Sequence, residues 1–313
     1  MAVYTAVAAE PLAEFLGGYD IGAATRFAGI AQGIENSNYE LETPRGRFVL
    51  TLYERRVRRG DLPFYLGLMR HLAGKGVPCP MPVARRNGAL WAELCGKPAA
   101  IVSFLDGDWP REPTAAQCGA VGAALARLHL AGRDFPLARP NDLSLAGWHQ
   151  LFAATRDPAD AVAPGLAAEI GRQLATLTDR WPRDLPSGAI HADLFPDNVF
   201  FQGEQLSGLI DFYFACTDAW AYDLAVAITA WCFPTPERYD RRLAAALEDG
   251  YTAVRPLTAV ERDALPILLR GAALRFLLTR LYDLVHGVKG MIGIQKDPLE
   301  YRAKLGALAR TQQ

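Results

Sequence analysis

With 313 residues the chain can bury a sizeable core and hold one large domain or two lobes. Its 33 Lys and Arg nearly cancel 34 Asp and Glu, so no long-range field gathers nucleic acid or an anionic membrane, and neither partner is expected. Half of the residues are hydrophobic, yet no run approaches the roughly 20 apolar residues of a membrane span. The start, MAVYTAVAAEPLAEFL, has no basic segment and meets Glu10 and Glu14 early, so no signal peptide is expected. Cys79, Cys95, Cys118, Cys216 and Cys232 are scattered and form no CxxC pair. They read as reduced, buried thiols of a cytoplasmic protein rather than as a structural zinc site.

In chain order, residues 10–17 read as a short helix stopped by Gly17-Gly18. Strands are expected at Ala24–Ala28 and Asn38–Glu42 around the loop GIAQGIENS, and at Arg47–Tyr53 after the turn Thr43-Pro44-Arg45-Gly46. Asp61–Gly74 has apolar residues at helical spacing: Leu62, Tyr65, Leu68, Met69 and Leu72. The proline-rich stretch 76–82 is extended, and strands follow at Pro82–Arg86, Leu90–Leu94 and Ala99–Phe104. After a short hinge at 104–108 the character changes. Thr114 caps a helix with its apolar face through Val121, Leu125 and Leu128. Helical patterns then occupy about 143–156, 160–180, 219–231, 236–253, 258–287 and 298–310. The expected class is α+β: a small β-rich lobe with one main helix (1–105), which holds a nucleotide, and a larger, mostly helical catalytic lobe (106–313). A cleft between lobes is a favoured place for a ligand.

The helices are interrupted by one stretch, SGAIHADLFPDNVFFQGEQLSGLIDFYF, from Ser187 to Phe214. His-x-Asp, then Asn after four residues, then Ile-Asp-Phe about a dozen further on, is the spacing of a phosphotransferase catalytic loop and its metal aspartate. Asp193 is placed to accept the proton of an attacking hydroxyl. Asn198 and Asp211 supply the hard oxygen ligands that Mg²⁺ prefers. The runs Asn198–Phe201 and Leu206–Ile210, joined by Gln202-Gly203-Glu204-Gln205, read as a hairpin that carries Asn198 and Asp211 to one end.

Supporting parts of an ATP site follow from this. On the strand Phe48-Val49-Leu50-Thr51-Leu52, Val49 takes the small apolar place over the adenine, and Thr51 stands where the phosphate-binding Lys of a kinase lobe is expected. The charge comes either from Glu54-Arg55-Arg56-Val57-Arg58-Arg59 or from Mg²⁺ alone; the bland reading of that run is a solvated strand end. The loop 29–38 lacks GxGxxG but stands where a phosphate-covering loop should lie, with Ser37 and Asn38 as ligands beside its N–H groups. Ser103 and Leu105, at the end of the last small-lobe strand, are the candidates for the adenine edge. Asp223, in Ala-Tyr-Asp-Leu-Ala, has a carboxylate suited to holding the catalytic loop's backbone. His71, His129, His149 and His286 read as packing or surface residues without metal-ligand spacing.

Together, the lobe order, the hinge, HADLFPDN, LIDF and AYDLA resemble the aminoglycoside-phosphotransferase-like family of small-molecule kinases, relatives of the protein kinase fold. Within it, GIENSNYEL (33–41), FVLTLYE (48–54), LPFYLGLMRHLAGKGVPCPMPV (62–83), GKPAAIVSFL (96–105) and LRFLLTRLYD (274–283) are similar to the bacterial homoserine kinases of this fold. Thr in place of Lys is a habit of that subgroup. The resemblance implies transfer of the ATP γ-phosphoryl group, with Mg²⁺, to the hydroxyl of L-homoserine, on the route to threonine. It also implies that His191 supports the loop and is not the base.

A zwitterionic amino acid requires a cation for its carboxylate. Arg275, among apolar residues, offers a bidentate grip, and a structural salt bridge with Asp283 or another acid is the equal alternative. Tyr213 is expected to line the same pocket. Two rivals stand beside this reading: another hydroxyl acceptor (an aminoglycoside, choline or hydroxylysine), and a non-catalytic nucleotide-binding regulator. Few acids near the site weigh against the aminoglycoside, and intact Asp193, Asn198 and Asp211 weigh against the regulator.

Overall fold

The computed structural model describes residues 4–30, 36–54, 57–287 and 296–311. Two compact units emerge from its contacts. Met1–Gly107 and Ser207–Tyr213 belong to the first; Asp108–Leu206 and most of the chain from Phe214 onward belong to the second. The class is α+β, with the sheet in the first unit and most helices in the second.

The first unit is built on an antiparallel sheet of order β1-β2-β3-β5-β4: β1 (Arg26–Gly29), β2 (Ser37–Thr43), β3 (Gly46–Leu52), β4 (Ala92–Leu94) and β5 (Lys97–Ser103). Period-two alternation sets its register. On β2, Tyr39 and Leu41 face a core with Leu50, Leu52, Ile101 and Leu12, Phe15 and Leu16 of α1 (Ala9–Leu16). Glu40 and Glu42 face out and meet Arg47 (2.9 Å) and Arg26 (3.0 Å). A one-residue slip would expose Leu41 and bury the two acids, losing about 1.5–3 kcal/mol per large side chain, so the register is firmly specified. The helix α2 (Leu62–Gly74) follows. Pro82–Arg86 is not a strand: Pro82 makes a single bridge to Val102, and the chain turns at Arg85–Ala89. Pro80 and Pro82 lack the N–H groups that a continuous ladder needs.

In the second unit α3 (Ala115–Ala131) starts at a capping box, Thr114 with Gln117, and buries Val121, Leu125 and Leu128. The helix α4 (Leu145–Val162) runs through Pro158, where the pattern predicts a break near 156. Pro158 cannot satisfy the Ala154 carbonyl, and His286 Nε2 takes that role at 3.0 Å. Then come α5 (Leu166–Arg180), β6 (Ser187–Ile190), the hairpin β7 (Val199–Gln202) and β8 (Gln205–Leu209, whose last three residues belong to the first unit) around Gly203-Glu204, β9 (Cys216–Ala219), α6 (Trp220–Trp231), α7 (Arg241–Val254), α8 (Ala259–His286) and α9 (Pro298–Thr311). The pairing of β6 with β9 is absent from the sequence reading, which begins a helix at 219. Each strand is four residues long, too short for a periodic signal. Close approach of α3 to α7 depends on glycine. A Cβ on Gly122 would come within 2.0 Å of the Leu247 carbonyl, and one on Gly250 within 2.0 Å of the Gly119 carbonyl. No described helix is long and apolar enough to cross a membrane.

Candidate active site

His191, Ala192 and Asp193 leave the end of β6 in the second unit. Ala192 has φ 63°, a left-handed conformation that costs a non-glycine residue about 1–3 kcal/mol unless its surroundings enforce it. They do so from both sides of the peptide. The Asp223 carboxylate accepts the N–H groups of His191 (2.8 Å) and Ala192 (2.7 Å), and Arg275 Nη1 donates to the Ala192 carbonyl. Trp231 Nε1 donates to the Leu194 carbonyl at 2.8 Å. His191 is fully buried and its Nδ1 accepts the Asp193 N–H at 3.2 Å, so the ring braces the loop and offers no free base on that nitrogen. Asn198 Nδ2 donates to the Asp193 carbonyl at 2.8 Å and lies 3.4 Å from its carboxylate. With the amide nitrogen committed, Asn198 Oδ1 is left as the acceptor suited to a hard cation.

Asp223 is itself buried. Burial alone would raise its pKa, but the hydrogen bond from His129, the histidine charges and the His191 N–H outweigh this and hold it below the usual carboxylate range. The partner, His129, lies 3.0 Å from Asp223 through Nε2 and is pushed down chiefly by its own burial and by Arg255, against the pull of Asp223. At neutral pH this pair is a carboxylate and a neutral imidazole. His129 is the partner of Asp223 that the sequence reading missed. It sits one turn beyond Leu125 on the apolar face of α3, where a buried histidine needs a polar partner on another element, and spacing along the chain does not reveal that partner.

Asp211 and Tyr213 belong to the first unit. Asp211 also has a left-handed backbone, φ 64°, a conformation more accessible to Asp than to most residues. The Tyr213 hydroxyl lies 3.3 Å from that of Tyr53, and burial pushes its pKa up to about 12, so it stays protonated. Thr51 Oγ1 donates to Asn38 Oδ1 at 2.8 Å, directly across the β2–β3 ladder. Ser37 corrects an expectation. Its buried hydroxyl donates to Glu54 (2.7 Å) and accepts the N–H groups of Tyr4 (2.9 Å) and Thr5 (3.0 Å), which exhausts its capacity and leaves no bond for a phosphate. Ser103 exchanges bonds with the Met81 backbone, its N–H and hydroxyl each at 2.9 Å, while the Leu105 N–H and C=O have no hydrogen bond among the described residues. Val49 is half-buried. Residues 31–35 of the expected phosphate loop, and Arg55 and Arg56, lie outside the described residues.

Arg275 is 2% exposed, with its guanidinium carbon 4.4 Å from the Phe276 ring centroid and 5.7 Å from that of Phe214. It has no ion pair among the described residues, so the salt-bridge alternative is not realised; its Nε is buried and has no hydrogen-bond partner there. No group of three or more His, Cys, Asp or Glu among the described residues could hold a metal ion. Mg²⁺ is usually held by one or two side-chain ligands together with phosphate oxygens and water.

The chain is similar to known proteins over nearly its whole length. A homoserine kinase from Brucella anthropi is 58% identical over 97% of this chain and 94% of its own length. One from Xanthobacter autotrophicus is 58% identical over 97% and 95%. A spectinomycin phosphotransferase solved in complex with ADP and spectinomycin shares the fold at a TM-score of 0.70, with 15% identity over 98% of this chain and 99% of its own. The family model described as the phosphotransferase enzyme family matches residues 26–257, a span that holds the sheet, the 191–193 loop, Asp211 and Asp223; the chain belongs to that family.

Proposed function

We propose that this enzyme is a homoserine kinase, transferring the γ-phosphoryl group of ATP to the hydroxyl of L-homoserine to give ADP and O-phospho-L-homoserine. The observation that carries the reading is 58% identity, over nearly the whole length of both chains, to homoserine kinases. Its chemistry follows from the loop. Phosphoryl transfer passes through a loose transition state, so the protein mainly aligns the reactants and neutralises charge. Asp193, held at both its N–H and its C=O, orients the acceptor hydroxyl and takes its proton late in the transfer. Asn198 through Oδ1, and Asp211 through its carboxylate, would hold Mg²⁺, which when bound offsets the charge of the phosphates. Val49 and the free backbone groups of Leu105 receive the adenine. Thr51, at the strand position of the phosphate-binding lysine of a kinase lobe, and its hydrogen-bond partner Asn38 are assigned to the phosphates, and Tyr213 to the acceptor pocket.

The unpartnered Nε of Arg275 is the donor assigned to the homoserine carboxylate. Arg275→Lys removes that donor, and the homoserine KM is expected to rise by about tenfold or more, from the loss of a hydrogen bond to a charged group. An unchanged homoserine KM removes Arg275 from the substrate site. The whole reading is tested by following ATP consumption with Mg²⁺ against homoserine, serine, threonine, hydroxylysine, choline and kanamycin. Turnover on homoserine alone is expected. Turnover confined to another compound overturns the acceptor, and no turnover with ATP still bound favours a nucleotide-binding regulator.

A further inference from the structure

Behind the catalytic loop, the second unit contains a buried chain of hydrogen bonds that the phosphoryl transfer does not use directly. It begins at the cap of α8, where Glu261 accepts the Thr258 N–H at 2.9 Å through one oxygen and Arg255 Nη2 at 2.8 Å through the other. Arg255 Nη1 donates to the Tyr251 hydroxyl oxygen at 3.1 Å. Tyr251 lies 2.8 Å from His129 Nδ1, and His129 Nε2 lies 3.0 Å from Asp223, which grips the loop. Tyr251, His129, Asp223 and Glu261 are fully buried, Arg255 nearly so, with its guanidinium 4.5 Å above the Trp220 ring.

Donor and acceptor chemistry gives this chain one direction. The Asp223 carboxylate only accepts, so the His129 proton is on Nε2. A neutral imidazole then accepts at Nδ1, and the group facing Nδ1 is the Tyr251 hydroxyl, which must donate. Arg255 only donates, so it occupies a lone pair of that hydroxyl and turns its proton toward His129. Every bond from Arg255 to Asp223 thus polarises the next in the same sense. The close glycine-mediated crossing of α3 and α7 brings His129 and Tyr251 within reach.

We infer that Tyr251 and Arg255 are positioning residues for phosphoryl transfer: they lock His129 in the Nε2–H tautomer, and through it hold Asp223 against the left-handed Ala192 peptide that aims Asp193. Neither touches a reactant. A tyrosine that merely filled space would need no hydroxyl, and an arginine that merely paired with Glu261 would need no second bond.

The inference rests on the 191–193 loop being catalytic, and its test separates the two. In the full chain, Tyr251→Phe keeps the ring and removes only the donor. The expected result is a kcat about tenfold lower, the order set by a small misplacement of a reacting group, with the KM values for ATP and homoserine within about twofold of wild type. Nitrogen-15 spectra of the His129 ring should show a pure Nε2–H tautomer in the wild type and an averaged pair in the variant. An Nδ1–H tautomer or an imidazolium in the wild type at neutral pH overturns the inference without any variant having to fold. So does a variant whose kcat or tautomer is unchanged. Absence of turnover in the wild type would instead sink the proposed activity, with the tautomer result still deciding the lock.

Discussion

Asp193→Asn is expected to lower kcat by about 10²- to 10⁴-fold, the usual contribution of a positioned general base, while ATP still binds. The substitution is close to isosteric, and the backbone bonds that hold Asp193 do not depend on its charge. The Asp193 N–H goes to His191 Nδ1 and its carbonyl accepts from Asn198, and neither bond involves the side chain. An amide cannot take the proton that the homoserine hydroxyl loses. Steady-state kinetics with homoserine, together with an ATP-binding isotherm and a melting curve, check the prediction. A variant that keeps a tenth of the wild-type kcat would remove Asp193 as the base; one that melts early would mean that its carboxylate also supports the fold.

The second large effect is expected at Asp223. Its two oxygens receive three donors, the N–H groups of His191 and Ala192 and Nε2 of His129. In Asp223→Asn one of those oxygens becomes an NH₂, so a donor faces a donor inside a dry core whichever way the amide turns. Breaking a buried charged network in this way costs about 3–5 kcal/mol. In a unit of this size that is a fall in Tm of roughly 10 °C. The Ala192 peptide loses part of its hold, and a displacement of about 1 Å at Asp193 is enough for a further loss near 10²-fold in kcat. A Tm within 2 °C of wild type, or a kcat within threefold, would refute this account of the loop.

The pH dependence of stability has the matching sign. The folded Asp223 pKa lies below the unfolded value of about 3.9, so its contribution is complete above that value and is lost as pH falls through the folded one. His129 acts earlier. Its folded pKa is depressed, so below the ordinary histidine value of about 6.5 the unfolded chain takes up the proton first and stability declines.

Much of this protein is legible along the chain because its chemistry is local. HADLFPDN and LIDF place the proposed base, amide and carboxylate within about two dozen residues, and the period-two and period-3.6 patterns locate the sheet strands and most helices. The elements misread are those whose local signal is weak or contrary: the expected strand at Pro82–Arg86, which makes only a single bridge, the four-residue strands β6 and β9, and α4 running on through Pro158 because a histidine from α8 takes the orphaned carbonyl. Ser37 reads along the chain as a phosphate ligand; only the folded sheet shows its hydroxyl spent on Glu54 and the segment before α1. Arg275 reads as a semi-buried cation; its donation to Ala192 depends on α8 packing against the loop, 83 residues away in sequence.

What the sequence by itself determined is the order along the chain of the groups proposed to react, since each side chain's acid–base and ligand chemistry is its own. Only the tertiary structure decided what holds them. Asp223, His129, Tyr251 and Arg255 come from α6, α3, α7 and the residue that caps α7, and their bonds span up to 122 positions. A buried polar group must find its partner wherever the fold brings one, so the lock on the catalytic loop exists only where those helices meet.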